Sequence, residues 1–150
     1  MSCGYAHTGV VMSNGEAYTW WRGDFGALGF GTDESQWFPV KLRFPNEPSQ
    51  VTLMQIDCGA KHTAVLDRSG RCFTFGCGEQ GQLGTGYIHN QYTPMMVDLE
   101  VVERNQHNGL LEDSLKGDDK LVIQVACGDE HTLLRTQSGQ ILAMGYNGYG

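Results

Sequence analysis

The chain has 150 residues, 40% of them apolar, and a formal net charge of -7. Its ten Lys and Arg residues are scattered, Lys41-Leu42-Arg43 being the closest cluster, so no basic face is available to track phosphates and nucleic-acid binding is not expected. No stretch reaches the roughly 20 apolar residues of a membrane span, and Met1-Ser2-Cys3-Gly4 has neither the charged nor the apolar region of a secretory leader.

In chain order, Cys3-Gly4-Tyr5-Ala6-His7-Thr8 is followed by an apolar hairpin turning at Ser13-Asn14-Gly15, then by Trp20-Trp21 and the tail Gly26-Ala27-Leu28-Gly29. The same pattern returns at Cys58-Gly59-Ala60-Lys61-His62-Thr63 and again at Cys127-Gly128-Asp129-Glu130-His131-Thr132. His7 to His62, Gly15 to Gly70, Gly26 to Gly81 and Pro39 to Pro94 are each 55 residues apart. His62 to His131, Gly70 to Gly139 and Gly81 to Gly150 are each 69 apart, which places 14 extra residues between Pro94 and Cys127. Repeats at fixed spacing override a one-domain reading of the length. The boundaries expected are a partial first repeat over 1–49, a second over 50–120 with an acidic insertion at 98–119, and the start of a third, truncated, over 121–150.

Within the middle copy, Leu53–Cys58 alternates as a strand does. His62–Leu66 and Arg71–Phe75 form two more, joined by the turn Asp67-Arg68-Ser69-Gly70, where glycine suits a positive φ. No apolar stripe of helical period is long enough to predict a helix. A small antiparallel sheet cannot bury both faces, whereas sheets stacked radially can, so each repeat reads as a propeller blade, with a solenoid as the alternative. Open blade edges predict that the chain alone associates, aggregates or partly unfolds.

Gly59-x-x-His62-Thr63, Gly70, Phe73-Thr74-Phe75-Gly76, Gly81-Gln82-Leu83-Gly84 and Thr93-Pro94 resemble the regulator of chromosome condensation (RCC1) repeat. The structural signature carried over is Gly4, His7 and Gly15; Gly59, His62, Gly70, Gly76, Gly81 and Gly84; and Gly128, His131, Gly139 and Gly145. The resemblance implies an all-β fold of antiparallel β-propeller blades, about two blades' worth of a seven-bladed ring. Trp21 departs from it, standing where Gly76 and Gly145 stand, so the first copy needs another backbone conformation or room for a large side chain.

Cys3/His7, Cys58/His62 and Cys127/His131 invite a zinc or Cys-His nucleophile reading. Equivalent positions in separate blades do not converge on one ion, and a dyad repeated in every blade has no mechanistic purpose. The expected role is structural: a small packed Cys, and a His hydrogen-bonded to backbone across a turn. Five cysteines, three of them in repeat register, fit a reduced compartment, cytoplasm or nucleus, better than a disulfide framework. Gly76-Cys77-Gly78-Glu79-Gln80-Gly81 matches a dinucleotide fingerprint, but Gln82-Leu83-Gly84-Thr85-Gly86 opens no helix to meet a pyrophosphate, so no cofactor is expected.

The acidic insertion carries -5 of the net charge and reads as a solvated loop or a partner-binding one. In exchange-factor members of the family, acidic and histidine side chains near the Gly-x-x-His turn help engage a small GTPase, and Asp129, Glu130 and His131 match that character. The function expected is a protein-interaction scaffold or adaptor with no catalysis of its own. The alternative is guanine-nucleotide exchange on a Ran-type small GTPase, which needs no nucleophile or metal.

Overall fold

A computed structural model describes residues 1–47, 50–106, 120–146 and 148. The first sheet has the order β1 (Ser2–Cys3), β2 (His7–Val11), β3 (Ala17–Trp21) and β4 (Gln36–Lys41). The second repeats it with β5 (Leu53–Cys58), β6 (His62–Asp67), β7 (Cys72–Gly76) and β8 (Gln91–Met96). Among the described residues the third has three strands, β9 (Val122–Cys127), β10 (His131–Thr136) and β11 (Ile141–Gly145). Every pairing within these sheets is antiparallel.

The hairpin turns end in Gly15, Gly70 and Gly139 at φ 83°, 82° and 91°. In the second turn the buried Asp67 carboxylate accepts from the backbone N–H groups of Ser69 (2.9 Å) and Arg71 (2.8 Å), and from Arg71 Nε at 2.8 Å. That set of bonds lets a carboxylate sit in an interior position.

The outer strands β4 and β8 were not expected from the sequence. Each contains a proline, Pro39 or Pro94, which has no N–H for a central ladder and is tolerated at a sheet edge. Their pairing slips by two residues between Thr19 and Trp21 and between Thr74 and Gly76.

The core lies between the sheets. Ala17 and Leu42 from the first repeat meet Ile56, Val65, Phe73 and Phe75 of the second. On its other face, Ala64, Leu66 and Cys72 meet Val125, Leu134, Leu142 and Met144 of the third. The middle sheet is thus covered on both sides, and every residue of β6 and β7 is buried. Full burial of a Phe or Leu contributes about 1.5–3 kcal/mol, so these two layers dominate the stabilisation.

Among the described residues one α-helix, which the sequence did not predict, stands beside the strands of the all-β fold. α1 (Leu99–Gln106) follows β8, capped by the Asp98 carboxylate, which accepts from the N–H groups of Glu100 (3.1 Å) and Val101 (3.2 Å). Its Val102 joins the core between the second and third sheets. The helix has barely two turns, too short for a 3.6-residue stripe to register in a sequence. The rest of the acidic stretch, 107–119, and the register glycine Gly150 lie outside the described residues.

Candidate protein-interaction face

The Gly-x-x-His turns form a row at one end of the stacked sheets. In each, the glycine N–H donates to the histidine carbonyl at 2.9 Å: Gly4 to His7, Gly59 to His62, Gly128 to His131. Consecutive turns touch through backbone bonds, Tyr5 N–H to Gly59 O at 3.3 Å and Ala60 N–H to Asp129 O at 3.2 Å. Glycine is needed for that approach, since a Cβ on Gly59 would lie 2.5 Å from Gly128 O.

Behind the row, the repeat signature forms a polar link between sheets. His7 Nε2 is 2.8 Å from Thr63 Oγ1, whose hydroxyl donates to Ala27 O at 2.8 Å. One sheet further on, His62 Nε2 is 2.9 Å from Thr132 Oγ1, which donates to Gln82 O at 2.9 Å. Because each threonine spends its proton on a carbonyl, the histidine must donate, which fixes the Nε2–H tautomer. The buried Nδ1 of His62 then has no partner in the structure.

The histidines therefore bond a side chain of the following sheet instead of backbone across their own turn. The acceptor carbonyls belong to the Gly-Ala-Leu and Gly-Gln-Leu tails, whose next residues, Leu28 and Leu83, accept from Thr19 (2.7 Å) and Thr74 (2.6 Å) of their own sheets. This explains the tail: it is pinned by both sheets at once. A third polar contact runs alongside, with Asp57 accepting from Ser2 Oγ at 2.6 Å and from Cys127 N–H at 2.7 Å.

Burial holds the His7 and His62 imidazoles down to about 4, so both are neutral at physiological pH; for His62 the nearby imidazoles of His7 and His131 act in the same direction. Burial, and then the neighbouring Asp57 or Asp67 carboxylate, pushes the Cys58 and Cys72 thiols up to about 12. Such thiols are poor nucleophiles. Cys3, in contrast, is exposed and Cys127 half-buried, so the three register cysteines do not share one packed environment.

Trp21 keeps the backbone of the glycines it replaces. Its φ is 82°, beside 107° for Gly76 and 117° for Gly145. The side chain turns outward, about half exposed, and meets the Trp37 ring edge-on at 6.4 Å.

The exposed groups on the row are Tyr5, Lys61, Asp129, Glu130 and His131. Between the first two turns lies a cavity of about 250 Å³ lined by Tyr5, His7, Arg22, Phe25 and Lys61 among others. Lys61 Nζ sits 4.9 Å from the centre of the Phe25 ring, and Arg22 pairs with Asp24. Asp129 and Glu130 occupy the last turn, so a basic, aromatic section stands beside an acidic one. Arg22 and Phe25 were missed in the sequence because they precede the glycine tail, where no repeat signature falls. Among the described residues no group of His, Cys, Asp and Glu is placed to hold a metal, and no helix is long and apolar enough to cross a membrane.

Sheets of this topology, locked to one another by a repeated side-chain link, define blades of a β-propeller. The model of the regulator of chromosome condensation (RCC1) repeat matches residues 14–66 and 69–134, and a second model of that repeat matches 55–82 and 122–150. The chain belongs to the RCC1 repeat family.

It is 28% identical over 151 residues to the human probable E3 ubiquitin-protein ligase HERC4, covering 100% of this chain and 12% of that protein. With the ultraviolet-B receptor UVR8 of Arabidopsis thaliana it shares 31% over 145 residues, 97% of this chain and 28% of the receptor. Human WBSCR16 superposes with a TM-score of 0.75 at 23% identity, over 96% of this chain and 32% of that one. Yeast RCC1 (Prp20), solved with Kap60, gives 0.68 at 16% identity, over 96% and 31%. The chain spans less than a third of the length of each of these proteins.

Proposed function

We propose that this chain is a non-catalytic interaction module whose row of Gly-x-x-His turns is presented to a protein partner. One observation carries the reading: the imidazoles of His7 and His62 and the thiols of Cys58 and Cys72 are buried between sheets, while the row of turns exposes side chains of the kind that recognise proteins. His7 and His62 are buried, neutral and donating to threonines, and the Cys58 and Cys72 thiols are held far from ionisation. Tyr5, Lys61, Asp129, Glu130 and His131 are exposed in one continuous row, with an aromatic, basic section and an acidic section that set an orientation for a partner.

The competing reading is nucleotide exchange, with Asp129, Glu130 and His131 approaching a small GTPase. The deciding experiment mixes the full-length protein with a Ran-type GTPase loaded with fluorescent nucleotide. Release at the spontaneous rate is the result expected for a scaffold. Acceleration that is lost on replacing Asp129 and Glu130 by Ala would transfer the assignment to exchange.

A further inference from the structure

The cavity of about 250 Å³ between the first two turns is bounded by both repeats, with Tyr5, Arg22 and Phe25 on one side and Ala60 and Lys61 on the other. Three alanines, Ala6, Ala27 and Ala60, line it and make its room. At the junction of the second and third repeats, the 55- and 69-residue spacings put Lys61, Gln82 and Asp129 in those places. Gln82 is buried there, its Oε1 accepting from the Gln80 N–H at 2.9 Å, so its amide takes up volume that an alanine methyl leaves open.

The chemistry of the lining departs from the repeat in the same place. The spacings set Arg22, Phe25 and Lys61 against Cys77, Gln80 and Glu130. Where the first junction has two cations and an aromatic ring, the second has a thiol, an amide and a carboxylate. Lys61 Nζ lies 4.9 Å from the centre of the Phe25 ring, and among the described residues no carboxylate pairs with it. Asp24, already paired with Arg22, does not compete for it. The ammonium on the ring face thus keeps donors free for an anion, in a chain whose net charge is -7. Phe25 reaches this place from a left-handed backbone, φ 62° and ψ 6°, a conformation that its counterpart Gln80 does not adopt. Strain of that kind gathers at sites that clamp a ligand.

We propose that this cavity takes a carboxylate side chain and its apolar neighbour from a linear segment of a partner protein, which rests on the row of turns being the partner-facing surface. The Lys61 ammonium donates to the carboxylate, while the Phe25 ring and the three alanines cover the apolar group. Small-molecule sites span about 300–1,000 Å³, so a cavity of about 250 Å³ suits one or two side chains better than a nucleotide or other cofactor. The acidic pair Asp129-Glu130 on the last turn repels the same segment, so its carboxylate is directed to the first junction and the segment has one orientation along the row.

The test selects a phage-displayed library of short random peptides on the full-length protein and measures the enriched peptides by fluorescence anisotropy. Two substitutions copy the chain's own second junction: Ala27→Gln fills the cavity, and Lys61→Glu reverses its charge. Circular dichroism checks that both variants remain folded. The expected peptides carry Asp or Glu beside an apolar residue, and each substitution weakens them by about tenfold or more. Changing the acidic residue of the peptide to Lys should restore binding to the Lys61→Glu variant. Enriched peptides that lack this pair, or that bind both folded variants undiminished, overturn the proposal, as does a library that yields no binder. Peptides that ignore both cavity substitutions but are lost on replacing Asp129 and Glu130 by Ala overturn the cavity and leave the row as the partner surface. Peptides insensitive to all four changes overturn both.

Discussion

At Trp21 a side chain occupies a backbone conformation that the other two repeats give to glycine. Left-handed backbone costs an L-residue roughly 1–2 kcal/mol, whereas glycine adopts it freely. The half-exposed indole recovers part of that through its edge contact with Trp37. Removing the indole isolates the backbone cost. Trp21→Gly should therefore be more stable than Trp21→Ala by about 1 kcal/mol in urea unfolding, the reverse of the usual order in a strand. An alanine variant equal to or better than the glycine variant would show that β3 relaxes its backbone there. The departure at position 21 was visible in the register, but the choice between altered backbone and outward side chain was not. Trp21 pairs with Gln36 of β4, a strand the sequence did not announce.

Among the elements, the three hairpins were legible because alternation, turn glycines and the 55- and 69-residue spacings all agree. β4 and β8 were not, because Gln36–Lys41 and Gln91–Met96 each hold a proline, and edge strands lack the covered face that creates alternation. The threonine after each histidine was equally plain as a motif, yet its task was hidden, since its histidine stands 56 or 70 residues away in the preceding sheet. That task is testable by an isosteric change. Thr132→Val keeps the shape but strands the His62 Nε2–H and the Gln82 carbonyl in the interior. Unpaired buried polar groups cost about 1–3 kcal/mol each, so the variant should lose about 2–4 kcal/mol, read as a lower denaturation midpoint at unchanged slope. A loss below about 0.5 kcal/mol, within the range of an ordinary surface change, would mean that water replaces the hydroxyl.

For the whole molecule, burial of two neutral imidazoles ties stability to pH. His7 and His62 protonate at about 4 when folded and near 6.5 when unfolded. Between those values the unfolded chain binds more protons, so acid favours unfolding: the stabilisation is complete above about pH 7 and falls away as pH drops through 6.5 toward 4. Each shift is worth about 3 kcal/mol over that window. Thermal melts from pH 7.5 down to 4.5 should show a steep fall in Tm that begins well above the carboxylate range. A flat Tm between pH 7 and 5 would refute the neutral, buried state of both rings. The row proposed to face a partner was legible only in part: Asp129, Glu130 and His131 were singled out from their place in the motif, whereas Arg22 and Phe25 depend on how the glycine tail folds back.

The direction of the histidine-to-threonine link also bears on how the chain is made. Each earlier repeat holds a donor whose acceptor is encoded 56 or 70 residues later. At ribosomal rates of about 5–20 residues per second, each histidine and the sheet forming around it wait about 3–14 s for the next sheet to supply the hydroxyl. During that interval its apolar face and its imidazole are both open to water and to other nascent chains. Vectorial synthesis thus leaves each repeat dependent on its successor, and slowed translation downstream of Gly70 would lengthen the period in which the first two repeats are most exposed to misassembly.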